Sequence, residues 1–150
     1  MEWRHIGSRE YENISFETME YKSEFVHIFR PSGILPIKER AAVYAATLEL
    51  TRSDCYLAIL DNRKGREISL TGQHISFFVD FLAEKGIHYI AYAVVTNDPG
   101  YADIIKLFKA IAEAKDIALE AISTPSFEAA KAFVAGEIDR LAAIKQRPRR

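Results

Sequence analysis

The sequence predicts one α/β domain built on a mixed sheet of about five strands, an antiparallel hairpin followed by four strand–helix units. Three observations predict it. Near the start, apolar and polar residues alternate with period two around a short turn. Further on, brief apolar runs alternate with segments whose apolar residues recur at helical spacing. The connections are short, and no Ser/Gly-rich linker or internal repeat divides the 150 residues.

"NISFETMEY" alternates apolar and polar positions, and "EFVHIFRPSG" is a denser strand-type run; the short "KSE" between them suits a hairpin. In "PIKERAAVYAATLEL", Pro36 fits a first helical position, where no amide donor is needed, and Ile37, Ala41, Tyr44, Ala45 and Leu48 form the expected inward face. "CYLAIL" is a buried strand that stops at Asp61. "GQHISFFVDFLAEKG" is a helix with Ile75, Phe78, Val79 and Leu82 in one stripe and Gly86 at its end. "IHYIAYAVVT" is a strand halted by "NDPG". The helix "YADIIKLFKAIAEAKD" then presents Ile104, Leu107, Phe108 and Ile111. "IALEAIS" is the last strand. "SFEAAKAFVAGEIDRLAAIK" is the last helix, capped by Ser126 with Phe127, Ala130 and Phe133 facing inward.

Composition excludes several function classes. Twenty basic and 21 acidic residues leave a net charge of -1, without the electrostatic footprint of a nucleic-acid binder. The basic tail from about 145 to 150, in "IKQRPRR", reads as a solvated terminus. One cysteine, Cys55, excludes an internal disulfide. The start is charged with no apolar core for a signal peptide, and no stretch has the apolar length to span a bilayer, so a cytoplasmic protein is expected.

In a parallel α/β sheet the strand ends form one rim, which here collects Ser32, Asp61, Asn97, Asp98 and Thr124. A receiver-type phosphotransfer site needs an acidic pair after its first core strand and a lysine on a late strand. This chain ends that strand "RPSG" and has no lysine in "IALEAIST". No Gly-rich run cradles phosphate. His5, His27, His74 and His88 lack metal-ligand spacing, so neither a metal nor another cofactor is expected. Cys55 has no phosphate loop after it and reads as a buried, inert thiol. Asp61 accepts bonds from the turn that follows, and Thr71 or Ser69 caps the next helix. A phosphorylated hydroxyl at that helix entrance, beside Arg63, Lys64 and Arg66, is the competing reading.

The succession "EFVHIFRPSGIL…CYLAILDNRKG…ISLTGQHISFFVDFL…IHYIAYAVVTND…SFEAAKAFV" resembles the STAS-like group, related to the anti-sigma-factor antagonists. The likeness runs from about Ile14 to Val134 and includes the strand ending "ILD" and a closing helix opened by Phe127, Ala129 and Ala130. It implies a superhelix with the helices on one side of the sheet. It also implies a non-enzymatic module that binds a partner protein and is switched in some members at the second-helix entrance, here the Ser69–Thr71 region. The regulated members carry an Asp-Ser pair there, whereas this chain has "GREISLTGQH".

Phe77 and Phe81 lie off the second helix's apolar stripe, with His74 beside them, and form either a second buried face or an exposed patch. On the strands, Tyr56, His88, Tyr92 and Glu120 are placed on one side. Cys55, Leu57, Ile59, Tyr89, Ala91 and Leu119 are placed on the other. Three functional readings follow. The first is a regulatory protein-interaction module, with a protein partner or a second copy of itself, using His74, Phe77, Phe81, Tyr56, His88 and Tyr92 as its surface. The second is a carrier or sensor of a small apolar, lipid-like ligand in a cavity lined by Phe77, Phe81 and Tyr92. Behind both stands a hydrolytic or phosphotransfer enzyme at the rim.

Overall fold

Six strands form the sheet, in the order β1-β2-β3-β4-β5-β6, so every strand lies beside its neighbours in the chain. The computed structural model describes residues 2–51, 53–64 and 71–145; the expected switch residue Ser69 and the basic tail beyond 145 lie outside them. The elements are β1 (Arg4–Glu10), β2 (Ile14–Tyr21), β3 (Glu24–Pro31), α1 (Ile37–Leu50), β4 (Cys55–Asp61), α2 (Gly72–Glu84), β5 (Tyr89–Val95), α3 (Tyr101–Ala114), β6 (Ala118–Thr124) and α4 (Phe127–Lys145).

The strand beyond the expected five is β1. Its sequence RHIGSRE has no apolar alternation and stays largely exposed. Pairing with β2 makes it a strand, reinforced by the Arg4 guanidinium, which donates to Glu20 at 3.0 and 2.6 Å. A charged edge of this kind also resists pairing with a foreign strand. The expected hairpin is β2–β3. Lys22 and Ser23 adopt φ of 49° and 69°, the left-handed pair that a two-residue turn needs to match the twist of its strands.

From β3 onward the strands are parallel. Each crossover from β3 to β6 steps in the same direction across the sheet. Crossovers of one hand therefore place α1, α2 and α3 on one face. There Val43 and Ala46 of α1, the Ile75–Phe78–Val79–Leu82 stripe of α2, and Ile105, Phe108 and Ala112 of α3 cover Phe16, Phe29, Tyr56, Leu60 and Val94. The arrangement departs from a single helical layer at α4. That helix follows β6, which lies at the edge of the sheet among the described residues. It folds over the opposite face, where Ala130, Val134, Ala135 and Ile138 bury Val26, Leu57, Ile59, Ala91 and Val95.

Two other expectations need correction. The buried face of α1 is Arg40, Val43, Ala46 and Thr47, one position round from the expected stripe, and Ile37 is 57% exposed. Thr47 is buried because its hydroxyl is satisfied: it donates to the Val43 and Tyr44 carbonyls and accepts from the Tyr56 hydroxyl at 2.7 Å. On β6 the register pairs Leu119 with Ile90 and Glu120 with Ala91. Leu119 therefore shares the α1–α3 face with Tyr92, and Glu120 does not. His88 precedes β5 and is exposed.

The helix ends follow local chemistry. Gly86, at φ 86°, closes α2 with its own amide on the Ala83 carbonyl and the Ile87 amide on the Leu82 carbonyl. Ser126 accepts from the Ala129 amide and caps α4.

Candidate functional site

The rim splits into two halves. Asn97 and Asp98 lie exposed in the turn before α3, where the Asp98 carboxylate accepts from the Gly100 amide at 2.8 Å. Thr124 accepts from the Ser126 amide ahead of α4. These three shape turns and do not converge with Asp61. Ser32 does: with Ser15, Arg30, Pro31, Asp61, Arg63 and Lys64 it lines an open cleft of about 580 Å³ at the ends of β3 and β4.

Asp61 is clamped inside that cleft. Its two oxygens accept from Arg63 Nε at 2.8 Å and Nη2 at 2.7 Å, a two-pronged pairing that suits a guanidinium. The Arg63 amide adds a longer bond of 3.4 Å, from the first part of the turn expected to hold this acid; the rest of that turn, from 65, lies outside the described residues. Arg30 Nε stands 3.5 Å away. The Arg63 side chain, ahead of its amide and the more distant Arg30 charge, holds the carboxyl below its ordinary pKa against the opposing effect of burial. Asp61 is thus an ion held by two cations, a poor general acid and a blunted base.

Arg30 escaped the sequence reading. It shares a face of β3 with Val26 and Ile28, and its position next to Asp61 becomes visible only once β3 and β4 are paired in register, Phe29 opposite Leu60. Arg30 also donates to Glu17 at 3.0 Å, and His5 stands 3.6 Å from Glu17. Both guanidinium groups lie over the Phe127 ring, 5.7 and 5.4 Å from its centroid.

On the other face, Thr71 caps α2. Its hydroxyl accepts from the His74 amide, and His74 Nδ1 accepts from the Thr71 amide, both at 3.3 Å. Phe77 and Phe81 are half-buried. Their rings stand 6.0 Å apart, and each meets Tyr44 of α1, at 6.2 and 5.9 Å. Tyr56 is fully buried and cannot belong to a partner surface. Tyr92 packs edge-on against Phe78 and Phe108. A cavity of about 50 Å³ lies between this face and the helices, lined among others by Phe29, Leu35, Val43, Phe78, Tyr92 and Phe108, with Arg40 and His74. Of the expected lining residues, Tyr92 is present, while Phe77 and Phe81 are not.

His27 is fully buried in the sheet beside Tyr56. Its Nε2 and Nδ1 lie 3.0 Å from the hydroxyls of Thr51 and Thr18. Thr51 spends its proton on the Thr47 carbonyl, so it accepts from Nε2–H, and Thr18 donates to Nδ1. Both nitrogens of the neutral ring are satisfied. Burial pushes its pKa down to about 3. Cys55 is buried as expected, and burial raises its thiol to about 11.

Among the described residues, no three His, Cys, Asp or Glu side chains are grouped to hold a metal, and no helix is long and apolar enough to cross a membrane. Comparison with protein-family models, with curated proteins and with solved structures finds no match.

Proposed function

We propose that the chain is a non-catalytic, regulatory binding module that docks a partner protein around the entrance of α2. The observation that carries this reading is where large apolar side chains stay exposed. Ile34 is 68% exposed, Ile37 57% and Leu107 42%; Leu50 and Ile144, at the ends of α1 and α4, are the other exposed large apolar side chains among the described residues. Ile34 adjoins Leu35 ahead of α1, and Leu107 is in α3 with Ile104; Leu35 and Ile104 line the cavity together with His74, and Leu107 lies against Gly72 at the start of α2. Apolar residues gathered around one opening are the usual basis of a protein contact. The groups best suited to chemistry are already committed: Asp61 to two arginines, His27 to two threonines, Cys55 to the core. Thr71, at the same entrance, is where a phosphate would meet the amide donors of α2 and alter the surface.

A photocrosslinking residue placed at Ile37 or at Leu107 tests the proposal in the producing cells. Both positions should capture the same protein, and Ala132, exposed on α4 across the sheet, should not. Capture of unrelated proteins from the two sites, or the same pattern from Ala132, rejects it. The cavity favours a second reading, a small apolar ligand between sheet and helices. That reading expects short-chain aliphatic ligands to raise the melting temperature, and Val43→Phe, which fills the space, to abolish the rise.

A further inference from the structure

The cleft at the ends of β3 and β4 lies on the α4 side of the sheet, and its charges are arranged unevenly. Among the described residues, three cations, Arg30, Arg63 and Lys64, line it with one carboxylate, Asp61. The acid is the inner member: its side chain is 8% exposed, against 40% for Arg30 and 49% for Arg63. Glu17 reaches Arg30 from the β2 side but does not line the cleft. Solvent therefore meets guanidinium edges, with the balancing charge beneath them.

The two arginines are also held in place. Asp61 takes Nε and Nη2 of Arg63, which leaves the Nη1 edge directed elsewhere. Glu17 takes Nη1 of Arg30. Phe127, the first residue of α4, lies beneath both planes, so the positive end of that helix is on the same side. Ser15 and Ser32 add hydroxyl donors to the lining. Arginine offers only donors, and two fixed guanidinium groups with a lysine and hydroxyls match an oxygen-rich dianion.

We propose that this cleft binds a small organic phosphate, the phosphate seated between Arg30 and Arg63 and the organic part occupying the rest of the space. The volume argues for more than a bare ion, since about 580 Å³ lies in the range of clefts that hold small organic ligands. Binding is reversible, and no bond is made or broken.

The test is an NMR titration of the intact chain at constant ionic strength, with glycerol 3-phosphate and inorganic phosphate as separate probes. The ester is expected to cause saturable shifts of the Arg30 and Arg63 side-chain Nε–H signals at millimolar concentration, and inorganic phosphate to bind more weakly. Arg30→Gln and Arg63→Gln should each weaken the ester about tenfold, the loss of one charge-assisted contact. Lys64→Gln, at an exposed position, gives the same reading without touching the Asp61 clamp. Lys109→Gln, exposed on α3, should leave binding unchanged. Shifts that never saturate, or that persist in all three cleft variants, overturn the site. Inorganic phosphate binding as tightly as the ester overturns the organic ligand.

Discussion

His27 should make the stability of this protein sensitive to mild acid. An unfolded histidine titrates near 6.5, while burial holds the folded ring at about 3. As pH falls below 6.5 the unfolded chain takes up a proton that the folded chain refuses, so the equilibrium moves toward unfolding. The contribution is fully present above the unfolded value and is lost progressively as pH falls toward the folded one. From about pH 7.5 to about pH 5 the loss is about 2 kcal/mol, and it approaches about 5 kcal/mol below both values. For a chain of this size 2 kcal/mol lowers the melting temperature by about 4–8 °C. Urea denaturation at a series of pH values, on the natural chain and on His27→Gln, isolates the effect. The variant should start less stable, because it disturbs the Thr18 and Thr51 hydroxyl partners, but its stability should decline less with acid. Parallel declines between about pH 7 and about pH 5 would refute the reasoning, as would an NMR titration of the folded His27 ring near its unfolded value.

Further outcomes follow from the same geometry. Thr71→Ala removes the cap of α2 and should cost about 1 kcal/mol in chemical denaturation, with Thr71→Asp recovering most of it. Cys55 should resist iodoacetamide in the folded chain at neutral pH and react once unfolded, because burial raises its pKa and shields the sulfur. Asp61→Asn should cost about 1–2 kcal/mol by breaking the Arg63 clamp. The carboxyl's pKa is depressed in the folded state, so its stabilisation is present above the ordinary carboxylate value and is lost as pH falls through the depressed one. The Asp61→Asn penalty should therefore shrink in that acid window.

Which parts of the molecule were legible depended on whether a residue's place was set locally. The α2 stripe was readable because Ile75, Phe78, Val79 and Leu82 recur at helical spacing and nothing polar competes. The Lys22–Ser23 turn was readable from the runs on either side. In α1 the apolar pattern misled, since Arg40 and Thr47 occupy the buried face and the Thr47 hydroxyl finds its partner on β4. The β1 strand was hidden because pairing, rather than apolar alternation, holds it. The side taken by α4 shows only in its packing against Val26, Leu57 and Ala91, which three different strands bring together. At the rim, Asp61 announced itself at the end of an apolar run. Its partner Arg30 lies one strand away, and only the β3–β4 register brings the two together.

The docking surface proposed at Ile34, Ile37 and Leu107 is the functional claim most open to a direct measurement. Ile37→Glu combined with Leu107→Glu places charge on two exposed side chains, so the melting temperature should stay within about 2 °C of the natural chain. Affinity for the protein captured by crosslinking at these positions, read by titration calorimetry, should fall at least about tenfold. Unchanged affinity in a folded double variant would contradict the claim.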